Sequence, residues 1–330
     1  ELFAGQALAR VRGNEIETGS GPIMATVSMG GVGGGHFAGD SHTVMGRAEE
    51  ALALAKMGGR DRFASYDRLS DRAAARREAL STANTVQRAL RDRRLVLAVE
   101  PVVAGPDGSI HFHECLLRML DDDGRAVPAS QFMPAVEELG LVRKVDRHVV
   151  SLALTELAAH PELRLSVNIS AMTATDASLF GVILSMIESQ PEAAARLIVE
   201  ITETVAMHEF DSTASFIGRL HELGCQVAID DFGAGFTSFR HLKNLQIDMV
   251  KIDSQFIRGL PESAENRLFV EAFLELARSM DVRVVAECVE TEAEAAFLRG
   301  RGVDYLQGYW FGRPTLERPW GSAPCSAATG

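Results

Sequence analysis

The chain has 330 residues, an apolar share of 46% and a net charge of −12, which suffices for a large barrel plus a smaller unit. The acidity argues against a nucleic-acid-binding surface, which needs a basic stripe. No apolar run approaches the ~20 residues that span a bilayer, and no signal peptide opens the sequence. Cys115, Cys225, Cys288 and Cys325 show no CxxC spacing, so neither a zinc motif nor a disulfide framework is expected. That fits a cytoplasmic location, with a longer protein free to be membrane-tethered.

In chain order, residues 1–66 read as a helix, a strand at 24–29, a Gly-rich turn, a helix at 44–56 and a short strand near 62–66. The glycines from Gly30 to Gly35 lack the Lys-Ser/Thr that a phosphate loop demands, which leaves a flexible hairpin. Residues 67–93 contain no Gly or Pro and read as a connecting helix. Residues 94–320 then alternate apolar runs (95–103, 110–117, 163–169, 197–201, 226–229, 249–252, 283–286, 305–306) with helical segments (129–139, 145–159, 178–190, 211–223, 264–279, 292–299). Such alternation predicts an α/β fold with a mostly parallel sheet, closed as a TIM-like (β/α)8 barrel. Residues 321–330 read as a small, polar, frayed tail.

Polar residues recur at the end of these runs, and in a parallel barrel such ends converge on one mouth. Glu114, Leu116 and Arg118 share a strand face, although a surface ion pair alone would explain that arrangement. Glu200 stands where a buried strand would continue apolar, costly unless the charge is paired or bound to metal. Asp230 and Asp231 precede Gly233, a pattern that ordinary turn chemistry also produces. Lys251 interrupts an apolar strand and wants anionic partners. Glu287 ends another run, Asn168 another, and Gln307 opens an aromatic stretch that reaches Arg313 and Pro314. Carboxylates, an amide and a lysine in one mouth point to hard divalent cations and a phosphoryl substrate. The histidines are scattered without metal spacing, and His111 and His113 read as structural. Cys115 and Cys288 read as packing residues, with no nucleophile among the thiols.

Taken in order, Glu114-Cys115-Leu116, Ser166-Val167-Asn168-Ile169-Ser170, Glu200-Ile201-Thr202-Glu203, Asp230-Asp231-Phe232-Gly233, Lys251-Ile252-Asp253, Ala286-Glu287-Cys288-Val289-Glu290 and Gln307-Gly308-Tyr309 resemble the EAL-domain phosphodiesterases that hydrolyse cyclic di-GMP. The resemblance covers roughly residues 85–316. It implies Glu114, Asn168, Glu200, Asp230 and Asp231 as metal ligands, with Glu287 and Gln307 completing the site. It implies that Lys251 and Glu287 orient or deprotonate the attacking water, and that Glu203 anchors the loop after Asp231. Arg118, Gln307, Pro314 and Glu100 fall on the substrate side. Mg²⁺ or Mn²⁺ in a two-metal site, inhibition by Ca²⁺, linear 5′-pGpG as product and a homodimer follow from the same resemblance; a catalytically silent cyclic di-GMP receptor is the alternative. Two positions depart from the family. Cys115 replaces alanine, and Glu100 stands before Pro101 where the family has glutamine. The Glu100 carboxylate either repels substrate phosphate or pairs with Arg118. Residues 24–66 resemble the C-terminal half of a GGDEF (diguanylate cyclase) domain, without its catalytic loop.

Overall fold

The computed structural model describes residues 2–19, 21–33, 41–233 and 244–321, without the side chains of 67–75 and 207–208. The chain divides into two compact units, residues 1–81 and 82–330. Their boundary falls inside the helix Tyr66–Arg91.

In the first unit, helix Leu2–Arg12 is followed by an antiparallel ribbon of β1 (Glu15–Thr18) and β2 (Gly21–Met24). A parallel pair follows, β3 (Met29–Gly31) and β4 (Phe63–Ser65), joined through helix Ser41–Met57. The single strand expected at 24–29 is thus two strand ends separated by an irregular stretch. Gly30 lets the helix lie close, since a Cβ there would stand 2.3 Å from both Ala48 O and Leu52 N. The expected hairpin at Gly30–Gly35 falls partly outside the described residues, as does most of the tail.

The second unit is the barrel. Its strands are β5 (Leu95–Ala104), β6 (Ile110–Leu120), β8 (Leu165–Asn168), β9 (Leu197–Thr202), β10 (Gln226–Phe232), β11 (Met249–Ile252), β12 (Arg283–Ala286) and β13 (Tyr305–Gln307); a short edge strand β7 (Ala126–Pro128) pairs with β6. The sheet order β5-β13-β12-β11-β10-β9-β8-β6 closes through a β5–β6 pairing. The six predicted helices are present within a few residues, the first of them preceded by a 3-10 turn at Ala129–Gln131. Among the described residues no helix is long and apolar enough to cross a membrane.

One strand departs from the parallel expectation. β5 runs antiparallel to both β6 and β13. Only residues 105–109 separate β5 from β6, too few for a parallel crossover, which needs a dozen or more. Gly105-Pro106-Asp107-Gly108 makes a tight turn instead: the Ser109 backbone N–H donates to Asp107 Oδ1 at 2.9 Å and Gly108 sits at φ +73°.

The barrel interior follows the two-residue period of a strand. A buried floor consists of Val102, Phe112, Ile198, Ala228, Met249, Val285 and Tyr305. Two residues further toward the mouth on the same strands stand Glu100, Glu114, Glu200, Asp230, Lys251, Glu287 and Gln307. On antiparallel β5 the step from Val102 to Glu100 runs backward along the chain, and Glu100 lies opposite Glu114 in register. A separate, larger apolar core fills the space between the strands and the covering helices; Cys115 belongs to it.

Candidate active site at the barrel mouth

Lys251 is 1% exposed, and its Nζ gathers the polar layer. It lies 2.6 Å from Glu287 Oε1, 2.8 Å from Glu200 Oε2, 3.1 Å from Glu114 Oε2 and 3.3 Å from Asp230 Oδ1. β11 and β6 are four strands apart in either direction round the barrel, so the Lys251–Glu114 contact spans its interior. Burial disfavours the ammonium, but the surrounding carboxylates more than offset that and hold it well above its ordinary pKa.

The amides fix Glu114. Asn168 Nδ2 donates to its Oε1 at 2.8 Å, and Gln307 Nε2 donates to its Oε2 at 2.6 Å and to Glu100 Oε2 at 3.2 Å. Burial pushes the Glu114 carboxyl up, yet Lys251, Gln307 and Asn168 together bring it below the usual value. The others go the opposite way. Burial, then the Glu114 charge, pushes Glu200 up to about 8. Burial raises Glu287 well above its ordinary value, and burial with the Asp230 charge raises Asp231. Burial, aided by the Glu114 charge and only partly offset by the Gln307 hydrogen bond, Lys251 and Arg118, pushes Glu100 up to about 7. The alternative reading, a Glu100–Arg118 pair, is not formed: Glu100 accepts from Gln307, and the Arg118 guanidinium donates to Leu117 O at 2.9 Å.

Asp231 adopts a left-handed backbone at φ +56°, a strained conformation of the kind that clusters at functional sites. The turn after it is held from two sides. Glu203, buried at the start of helix Glu203–His208, accepts from the Gly233 backbone N–H at 2.8 Å, and Gln255 Nε2 donates to Gly233 O at 3.3 Å. Gly233, at φ +99°, lies where a Cβ would meet Phe256 at 2.5 Å. Ala234 and Gly235, in the loop that Glu203 was expected to anchor, lie outside the described residues. Gly308 is needed for another reason: a Cβ there would stand 2.3 Å from Val289 N, where the chains after β12 and β13 bond to each other.

The layer has the donor set for a hard cation. Oxygens of Asp230, Asp231 and Glu287 lie within 4.8 Å of one another. Glu200 Oε1 and Gln307 Oε1 are buried and accept no hydrogen bond from the described residues, and Asp230 Oδ1 has the 3.3 Å ion contact with Lys251 but no hydrogen bond. Such orphaned oxygens suit divalent ions. Thus Glu287, expected to handle the water, also stands among the oxygens that could hold a cation. Above the layer opens a cavity of about 280 Å³ lined by Glu100, Glu114, Arg118, Glu287, Gln307 and Pro314. Arg258, Glu290 and Tyr309 line it too. Of these, Arg258 and Glu290 were not singled out from the sequence as site residues, because neither ends a strand. A larger cavity of about 770 Å³ lies among helical residues such as Arg88 and Lys144; its basic lining has no oxygen set for a cation.

Lys251→Met should destabilise the metal-free chain by about 3–5 kcal/mol at pH 8.5, since it leaves buried carboxylates without their cation. A carboxyl with a raised folded-state pKa loses stability as pH climbs from its unfolded value through its folded one. For Glu200 that window runs from 4.5 to about 8, so the loss should be much smaller at pH 5. Urea denaturation in EDTA at both pH values measures it; an equal loss at both would contradict the arrangement.

The EAL domain family matches residues 83–314. The chain is 32% identical over 278 residues to the bifunctional diguanylate cyclase/cyclic di-GMP phosphodiesterase MucR of Pseudomonas aeruginosa, covering 83% of this chain and 40% of that protein. It is 35% identical over 234 residues to the cyclic di-GMP phosphodiesterase NbdA of the same organism, covering 69% of this chain and 30% of that protein. It therefore spans well under half the length of these relatives. The solved structure of the PaMucR phosphodiesterase in complex with c-di-GMP superposes with a TM-score of 0.67 at 32% identity, covering 71% of this chain and 97% of the other. With the barrel, its mouth and this likeness together, the chain belongs to the EAL domain family.

Proposed function

We propose that the chain hydrolyses cyclic di-GMP to linear 5′-pGpG with two divalent cations. The observation that carries this is the polar layer around Lys251, in which an acidic or amide group from nearly every barrel strand faces one point. Phosphodiesterase relatives and a neighbour solved with c-di-GMP support the substrate. Glu114, Asn168, Glu200, Asp230 and Asp231, joined by Glu287, would hold the ions. When bound, Mg²⁺ or Mn²⁺ supplies Lewis-acid polarisation of the phosphodiester and lowers the pKa of the attacking water.

The chain's own groups do the rest. Lys251, held as an ammonium, donates hydrogen bonds and is a poor proton acceptor, so proton uptake falls to Glu287. Arg118 meets the substrate phosphate from the cavity wall, and Gln307 and Pro314 border the same space. Glu203 is a positioning residue that acts through the Gly233 turn on Asp231. No covalent intermediate is called for, since burial raises the Cys115 and Cys288 thiols and keeps them neutral. A catalytically silent receptor would have no use for the orphaned oxygens beneath the cavity. The first unit is read as a GGDEF-like half without cyclase activity; a homodimer and a cytoplasmic location belong to the same proposal.

Incubation with cyclic di-GMP and Mg²⁺ or Mn²⁺ should yield pGpG, and Glu114→Ala should abolish it. Ca²⁺, with longer bonds and looser coordination, should inhibit. Undiminished product in excess EDTA would falsify the two-ion proposal.

Glu100 adds a pH signature. Around its pKa of about 7 the carboxyl is neutral below and charged above, so its repulsion of the anionic substrate grows with pH. Relative to Glu100→Gln, the native KM should be about equal at pH 6 and about fivefold higher at pH 8.5, for a penalty near 1 kcal/mol in a half-wet cleft. The kcat ratio should stay flat, because the penalty falls on ground and transition states alike. A KM ratio independent of pH would refute the repulsion.

A further inference from the structure

Two guanidinium groups, those of Arg118 and Arg258, line the mouth cavity. Arg118 stands near the end of β6. Arg258 directly follows the helix Ser254–Ile257, just after β11, and β11 faces β6 across the barrel. Both side chains line the same cavity of about 280 Å³. Between them the cavity is acidic, with Glu100, Glu114 and Glu287, and this acidity suits cations and opposes any anion that none of them neutralises. Arg258 is only lightly held: its ion pair with Glu290 is 3.4 Å long, with the two side chains 64% and 46% exposed, a pair of a kind that contributes little, and its other partner is the Cys288 sulfur, a weak acceptor. Its fork can exchange that carboxylate for a phosphate, which it binds in bidentate fashion.

From this geometry we infer that Arg258 binds the second, non-reacting phosphate of the cyclic dinucleotide, across the mouth from Arg118. The inference rests on the hydrolysis proposed above. A cyclic dinucleotide carries two phosphates on opposite sides of one ring. Cleavage at the cation-binding layer involves one of them. The other lies in an acidic cavity, and Arg258 gives it a countercharge there. Arg258 thereby makes the site prefer a substrate with two phosphates over a simple phosphodiester.

The test compares Arg258→Gln with the native chain on cyclic di-GMP and on bis(4-nitrophenyl) phosphate, which has a single phosphate, both with Mn²⁺. One lost charge-assisted contact should raise KM for cyclic di-GMP about tenfold or more. The kcat on that substrate, and kcat/KM on the single phosphodiester, should stay within about twofold. Glu290→Gln, which frees the guanidinium, should lower KM for cyclic di-GMP. An equal loss on both substrates, or no loss on either, overturns the assignment; so does a higher KM in Glu290→Gln. If the native chain turns over only the simple phosphodiester, the cyclic di-GMP proposal falls and this inference with it. If Arg258→Gln alone behaves otherwise than expected, only the inference falls.

Discussion

A fully buried ammonium surrounded by carboxylates is the constraint on which this site depends. Lys251 is tolerated inside the barrel because Glu200, Glu114 and Asp230 reach it from three other strands and Glu287 from the residue just past β12. The carboxylates in turn are tolerated because Lys251 and the amides of Asn168 and Gln307 meet them. Removing any one member leaves another uncompensated in a low-dielectric interior, which is why such a network is held as a unit. Acid is in excess over base in this layer. One ammonium does not satisfy all these oxygens, and the raised pKa values of Glu200, Glu287 and Asp231 express the repulsion that remains. Divalent cations bound there would relieve that repulsion.

The layer exists because strand alternation and barrel closure act together. One step of two residues separates the apolar floor from the polar mouth on β5, β6 and β9–β13. The floor keeps water from below and holds each backbone in register, so the polar side chains above it arrive at one height. A few backbone positions then set the detail. The left-handed turn at Asp231 brings a second aspartate to the rim, and Glu203 and Gln255 hold the turn after it. Gly308 permits the close approach that ties β13 to the chain following Glu287.

Much of this was legible in the sequence, since a polar residue that interrupts an apolar strand signals its place directly. Lys251 and Glu200 were each conspicuous for that reason, and their meeting follows once eight strands are closed into a ring. The antiparallel course of β5 was also readable, because Gly105-Pro106-Asp107-Gly108 leaves no room for a crossover, but strand alternation alone does not report direction. Two features depended on the third dimension. Glu100 reaches Gln307 only through the closure of β13 on β5, between residues 207 positions apart. Arg258 hangs from a four-residue helix whose placement over the mouth no local pattern encodes.

The proposed hydrolysis requires the carboxylates around Lys251 to hold two divalent ions. The most direct measurement is the number of Mn²⁺ ions bound per chain, counted by the loss of the free-ion paramagnetic resonance signal, for the native chain and for Asp230→Asn. Two ions are expected in the native chain and at least one fewer in the variant, whose altered residue stands with Asp231 and Glu287 among oxygens within 4.8 Å of one another. A native chain that binds no Mn²⁺ at millimolar concentration, or a variant that binds as the native chain does, would contradict the two-ion site.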